Sequence, residues 1–280
     1  VRLASTLRAE RFDTALDMQG LAFSGVVTLL SGARRRIGMD RNREGNFLFL
    51  TDTSVPGKDA NRHAIDIQYG FAEALGVKAP AGVSPVQQYL VDSEAAFADG
   101  ILRSLGRPII VMNSGASTVQ KRWPVDYWVQ IGRWFVARGA SVVLFGGNDD
   151  RQMVDRVEDG IGSCPQVLNL AGKTDLRQLA SVVARCDLMI SGDTGPLHIA
   201  VNVGTRCLGL YGPTNPLASG PYGARNEWLW KHASCSPCGR KPVCRGDVKC
   251  LMSITPDDVM AQVVKMAIPS LSSAGDGAAH

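Results

Sequence analysis

The sequence predicts an α/β protein built on doubly wound parallel sheets, and two features carry that expectation. From Arg107 onward, five short apolar runs alternate with helix-forming segments, the pattern of parallel strands joined by crossover helices. Three of those runs also end in loops rich in glycine, hydroxyls or charge, where the ligand edge of such a sheet lies.

The first hundred residues are less regular but still read as α/β. "STLRAERF" is helical, "DTALDMQG" is a strand ending in polar residues, "LAFSGVVTLLSG" is a helix and "RRRIGMD" a further short strand. "YLVDSEAAFADGILRSLGR", Tyr89 to Arg107, reads as a strand and helix bridging two halves. "PIIVMNSG" then opens the regular part. In "WPVDYWVQIGRWFVARG", Pro124 suits a first helical turn, Trp128, Ile131 and Phe135 form an apolar stripe, and Gly139 stops the helix. "SVVLFGG" is the next strand and "DDRQMVDRVEDG" a helix with acids in its first turn. "QVLNLAG" is a strand, and "TDLRQLASVVARC" sets Leu176, Leu179, Ala180 and Val183 on one face behind a Thr174 cap. "DLMISG", "PLHIAVNVG" and "CLGLYGP" complete the series, and "PSLSSAGDGAAH" is a small, polar tail. The expected domains are residues 1–105, 106–267 and a tail at 268–280. A sheet domain that opens on a helix is unusual, so another strand and its loop are expected before Val1, which makes the N-terminal half incomplete.

At 280 residues, 45% hydrophobic and 20% charged, the chain can bury two ordinary cores. The formal net charge is only +4, with Lys and Arg scattered apart from Arg34 to Arg36, which argues against nucleic acid as a partner. That "RRR" reads either as a contact for acidic groups or as a solvated edge. No apolar stretch reaches the roughly 18 to 20 residues that cross a bilayer. Seven cysteines, four of them between Cys235 and Cys250, do not suggest a secreted disulfide framework.

"SGDTGPLH" lies between a strand and a helix, where first-turn amides and the helix dipole favour an anion. Gly192 and Gly195 allow close backbone approach, Thr194 adds a hydroxyl, the amides of Thr194 to Leu197 can face phosphate oxygens, and His198 projects from the first turn. A diphosphate would repel Asp193, so sugar hydroxyls are its better partners. Alone, the segment reads equally as a turn and N-cap. "NSGASTVQKRWP" supplies Ser114, Ser117, Thr118 and the cation Lys121, and "YGPTNP" supplies Gly212, Pro213 and Thr214. Three such loops on one sheet edge imply a nucleotide-diphosphate site.

Taken together, "KRWP", "GDTGPLHIA", "LYGPTNP", "GPYG" and "LDMQGLAFSG" resemble glycosyltransferase family 9, the lipopolysaccharide heptosyltransferases. The resemblance covers nearly the whole chain. It implies a GT-B fold, two Rossmann-like domains facing a cleft, and inverting, metal-independent transfer. An ADP-heptose donor sits on the C-terminal domain and a lipid A and Kdo acceptor on the N-terminal one. Lys121 is similar to the family lysine at the donor phosphates. Asp193, Thr194, Gly195 and His198 match positions around the donor, and Asn169 falls near a Glu that some members set against the ribose. Asp17, Gln19 and Gly20 fall on the acceptor side. The family's general base is an aspartate in a Gly-Asp loop after the very first strand, and this chain has no counterpart. The reading is therefore a transferase of lipopolysaccharide inner-core assembly at the cytoplasmic face of the inner membrane, in peripheral contact with it. The rivals are a GT-B-fold nucleotide-sugar epimerase and a nucleotide-binding protein or truncated transferase without turnover.

"CSPCGRKPVCRGDVKC" has the spacing C-x2-C-x5-C-x5-C. Cys235, Cys238, Cys244 and Cys250 fit a structural tetrahedral zinc ion, and a reduced or disulfide-linked loop is the other reading. The cluster is expected to lie outside the three-loop site.

Overall fold

The computed structural model describes residues 2–40, 44–57, 62–78, 92–238, 244, 249–268 and 271. The chain divides into two compact units, Val1–Ala81 and Gly82–His280.

The first unit contains α1 (Arg2–Ala9), β1 (Thr14–Asp17), α2 (Ala22–Leu30), β2 (Arg35–Met39), β3 (Asp52–Val55) and α3 (Ala64–Ala74). Its strands form a parallel sheet in the order β1-β2-β3. Ile37, Met39, Val55, Ile67 and Phe71 make its core, so α3 covers β2 and β3 through two apolar side chains one turn apart. The arginine run is largely engaged. Arg35 donates to Asp52 on the neighbouring strand at 2.8 Å, and Arg36 donates to the Phe49 and Ala33 carbonyls at 2.7 and 2.8 Å. His63 caps α3, its Nδ1 accepting from the Ile65 amide at 3.2 Å.

The second unit begins with α4 (Asp92–Leu102), followed by β4 (Ile109–Asn113), α5 (Val125–Val136), β5 (Ser141–Phe145), α6 (Arg151–Ile161) and β6 (Val167–Asn169). α7 (Leu176–Val183), β7 (Leu188–Gly192), α8 (Gly195–Asn202) and β8 (Arg206–Tyr211) continue the alternation. α9 (Pro216–Ser219), β9 (Glu227–Trp230), α10 (Lys249–Met252) and α11 (Pro256–Lys265) close it. All six strands are parallel, in the order β6-β5-β4-β7-β8-β9. The order reverses between β4 and β7, which puts a topological switch point at their carboxyl ends. β9 adds a sixth strand to the five apolar runs. It is a half-exposed edge of four residues, too short and too wet to stand out by hydrophobicity.

Alternation along the strands fills both faces of this sheet. Ile110, Met112, Leu144, Ile190 and Leu210 meet Trp128, Ile131 and Phe135 of α5, while Ile109, Val111, Val143 and Met189 meet α4, α7 and α8. Each large side chain so buried contributes on the order of 1.5–3 kcal/mol of transfer free energy.

Several expectations differ from the structure, and one falls outside the described residues. The first unit ends at Ala81 rather than 105, because α4 packs on α7: Ala98 and Leu102 join the second unit's core, and Arg185 pairs with Asp99. The strand expected near Tyr89 lies outside the described residues. Asp175, not Thr174, caps α7, because its carboxylate reaches the amides of both Arg177 and Gln178 at 2.8 Å. Leu176 is exposed and Val182 takes its place in the core, and Ile268, the first residue of the expected tail, is buried. Pro124 is the residue before α5 rather than inside its first turn.

Candidate functional site

Parallel pairing sets Asn113 beside Ser191 and Gly192 beside Leu210. The loops after β4, β7 and β8 therefore leave one sheet edge side by side. Lys121 lies in a single tight turn, Val119–Lys121, preceded by exposed Ser117 and Thr118. Its ammonium donates to Asp193 Oδ2 at 2.7 Å and to the Asp193 carbonyl at 3.1 Å. A lysine has three donor hydrogens, so one stays available to a further acceptor. The backbone approaches closely at this crossing: a Cβ on Gly192 would lie 3.2 Å from the Lys121 carbonyl.

Asp193 is the hub of the site. Its side chain is 13% exposed, and His198 Nε2, on the first turn of α8, lies 3.8 Å from Oδ1. Burial pushes the carboxyl pKa up, but His198 and Lys121, with help from Thr214, outweigh it and hold the group at about 2. Asp193 is therefore a carboxylate at neutral pH and unsuited to hold a proton. The Thr214 hydroxyl is near enough to favour that charge, yet it is buried without a hydrogen bond of ordinary geometry.

The start of α8 differs in detail from expectation. Pro196 has no amide hydrogen and the Leu197 amide is bonded to the Thr194 carbonyl at 3.1 Å, so the anion-facing amides reduce to Thr194 and Gly195. A Cβ on Gly195 would meet nothing within 4 Å, which leaves the helix end open. Thr194 occupies the N-cap position but makes no capping bond with its side chain. Instead Asn113 Nδ2 donates to the Thr194 hydroxyl at 3.1 Å and to the Ser191 hydroxyl at 2.9 Å. The Ser114 hydroxyl named from the sequence is buried and unpartnered here, while Asn113 and Ser191 also belong to this edge and were not singled out from sequence. The only signal was polar residues ending two apolar strand runs.

Other residues stand elsewhere. Gly212 is needed for packing: a Cβ there would meet Leu251 at 2.7 Å and Cys250 at 2.8 Å, both on α10. Pro213 is buried behind it. Asn169 is committed within the unit, its amide donating to Asp155 at 2.9 Å and Glu158 at 2.7 Å and accepting from the Ala171 amide at 3.0 Å. Asp17 is similarly occupied. One oxygen accepts from the Gln19 and Gly20 amides at 3.1 and 3.0 Å, and the other from Ser24 at 3.0 Å and Asn46 at 2.6 Å. Gly20, at φ +70°, gives the left-handed turn that folds this loop back. Trp123 is buried, its indole donating to the Ile254 carbonyl at 2.9 Å.

Cys235, Cys238 and Cys244 are half-buried thiols and Cys250 a buried one. Burial raises the Cys250 pKa and the Cys235, Cys238 and Cys244 thiols add to it, against a bond from the Leu251 backbone that lowers it. Among the described residues, however, no three His, Cys, Asp or Glu side chains come close enough to hold a metal ion. The segment touches the loop after β8 through Cys250, which faces Gly212, and through Ser236, whose hydroxyl donates to the Gly212 carbonyl.

A family model described as glycosyltransferase family 9 (heptosyltransferase) matches residues 1–248. The chain belongs to glycosyltransferase family 9. This family-9 chain is 30% identical over 224 residues to the lipopolysaccharide core heptosyltransferase OpsX of Haemophilus influenzae, covering 77% of the chain and 61% of that protein. It is 31% identical over 247 residues to lipopolysaccharide heptosyltransferase 1 of Pseudomonas aeruginosa, covering 86% of the chain and 65% of that protein. The chain thus spans less than two thirds of the length of both. The solved glycosyl transferase family 9 structure from Veillonella parvula superposes with a TM-score of 0.75 at 27% identity, over 97% of this chain and 78% of that one. The two parallel-sheet units together with that likeness give the GT-B fold. No helix among the described residues is long and apolar enough to cross a membrane.

Proposed function

We propose that the chain carries the donor half of an inverting heptosyl transfer from ADP-heptose to the Kdo and heptose inner core of a lipid-borne lipopolysaccharide acceptor. One observation carries the proposal: the switch point of the six-stranded sheet gathers a lysine ammonium, two helix-end amides and the hydroxyls of Thr194 and Thr214 around one carboxylate. Fixed donors of that kind stabilise the negative charge that develops on a departing diphosphate. Lys121 supplies the point charge, with Ser117 and Thr118 exposed beside it, and the Thr194 and Gly195 amides supply the helix end. Asp193, held ionised, and His198 face the sugar. The names of the two relatives above support heptose and lipopolysaccharide as the chemistry.

Since the leaving group is handled by Lys121 and backbone amides, transfer is expected to survive a chelator. No residue is assigned as general base, because Asp17 has both oxygens engaged inside its own loop. The acceptor is lipid-borne, so the proposed workplace is the cytoplasmic face of the inner membrane. A structural zinc on Cys235, Cys238, Cys244 and Cys250 rests on spacing alone. Metal analysis of protein purified without chelator tests it, and a content near zero removes it.

The test is to incubate the chain with ADP-heptose and a Kdo-bearing lipid A acceptor and weigh the products by mass spectrometry. A gain of one heptose on the acceptor supports the proposal. Preference for a UDP-sugar, converted without any acceptor, would move the assignment to an epimerase. Tight ADP binding without turnover would leave a nucleotide-binding protein.

A further inference from the structure

The peptide unit between Gly212 and Pro213 offers one polar group for a hydrogen bond. Proline carries no amide hydrogen, so the Gly212 carbonyl alone can fix the orientation of that plane. Ser236 takes it, its hydroxyl donating to the Gly212 carbonyl. The direction of this bond is settled by its other partner. Trp230 Nε1 donates to the same hydroxyl oxygen at 3.2 Å, and an indole N–H can only donate while a carbonyl can only accept. The Ser236 proton therefore belongs to Gly212. Trp230 is itself held in register with Tyr211, the residue before Gly212, and the Ser236 amide closes a turn onto the Ala233 carbonyl at 2.8 Å. Both sides of the bond are thus tied to the end of the sheet.

What the bond controls lies two residues on. Gly212 lacks the Cβ that would restrict its backbone and Pro213 has a locked φ, so the plane between them decides where Thr214 stands. At its far end the loop is anchored separately, Asn215 capping α9 by accepting from the Leu217 amide at 3.0 Å. Thr214 is the residue of this loop that stands near the Asp193 carboxylate.

We propose that Ser236 is a positioning residue for the nucleotide site: by holding the Gly212 carbonyl, it sets the Thr214 hydroxyl in place beside Asp193 before the nucleotide binds. This rests on the function proposed above. Ser236 lies between Cys235 and Cys238, so the cysteine-bearing segment acquires a part in the site as the brace of its third loop. A loop fixed in advance spares the ordering cost that binding would otherwise carry.

The inference predicts coupling between two residues that share no bond. In calorimetric titrations with ADP, Ser236→Ala and Thr214→Val should each weaken binding about fivefold, the scale of one neutral hydrogen bond, with little change in melting temperature. The double variant should be no weaker than Thr214→Val alone, because the serine acts through that threonine, whereas general damage to the fold would lower affinity in both backgrounds. Ser236→Ala combined with Lys121→Met should show multiplied losses. If Ser236→Ala does not fold, Ser236→Thr and Ser236→Val, close in volume and differing in the hydroxyl, give the same comparison. The threonine variant should stay within about twofold of wild type and the valine variant should show the alanine loss. Multiplied losses for Ser236 and Thr214, or Ser236→Ala or Ser236→Val proteins that bind ADP like wild type, would overturn the role of Ser236 and leave the site standing. Failure of wild type itself to bind ADP or inorganic pyrophosphate would overturn the site and this role together.

Discussion

Asp17 and Asp193 both sit at the carboxyl end of a parallel strand, β1 in one unit and β7 in the other, and they do opposite work. Asp17 is 2% exposed and accepts four hydrogen bonds, all from residues of its own unit that hold the loop into α2. Asp193 is held by Lys121 and His198, long or exposed side chains that can turn toward a ligand. Position on a sheet edge thus does not by itself leave an acid open to a ligand. What distinguishes the two is whether the partners are backbone and short side chains that cannot leave, or cations that can be shared.

The largest effect expected from this contrast falls on the first unit. Asp17→Ala strands two loop amides and the Asn46 amide, and should cost about 4 kcal/mol of local stability, read as faster hydrogen exchange in β1 and β2. ADP affinity should stay within about twofold. Next, Lys121→Met should weaken ADP binding roughly 30-fold, about 2 kcal/mol, while shifting the melting temperature little. A comparable figure applies to pH. Because the folded Asp193 carboxyl sits at about 2, below its ordinary value of 3.8, it stabilises the fold by roughly 2 kcal/mol. That contribution is complete above about pH 4 and is lost as pH falls toward 2. Asp193→Asn should flatten this part of an acid-unfolding profile. The smallest effect belongs to His198, 43% exposed and 3.8 Å from its partner: His198→Ala should change ADP affinity by less than about threefold, measured in the same titration.

Much of the fold was legible in the sequence, whereas the closed bonding of Asp17, placed on the acceptor side by resemblance, was not, and the gaps have physical causes. The β4, β5 and β7 runs are fully buried and β8 is buried beyond Arg206, so their hydrophobicity alone marked them, and the loops after β4, β7 and β8 were read from their residue types. β9 escaped because an edge strand need not be apolar. Pairing across long separations left no local trace. Asn113 finds Ser191 across 78 positions and Asp17 finds Asn46 across 29, and neither partner is implied by its neighbours in the chain. Gly212 read as part of a turn at the site, and its missing side chain makes room for Cys250 and Leu251, which arrive from far along the chain. Thr174 and Asp175 are both good caps by type, and only the geometry of the turn selects the second.

The most direct test of the central claim is hydrogen exchange of the whole chain with and without saturating ADP. The account predicts slowed exchange confined to the second unit, in residues 114–121, 193–195 and 212–215, with residues 17–24 unchanged. Protection centred on residues 17–24, or none in the loop that carries Asp193, would contradict it.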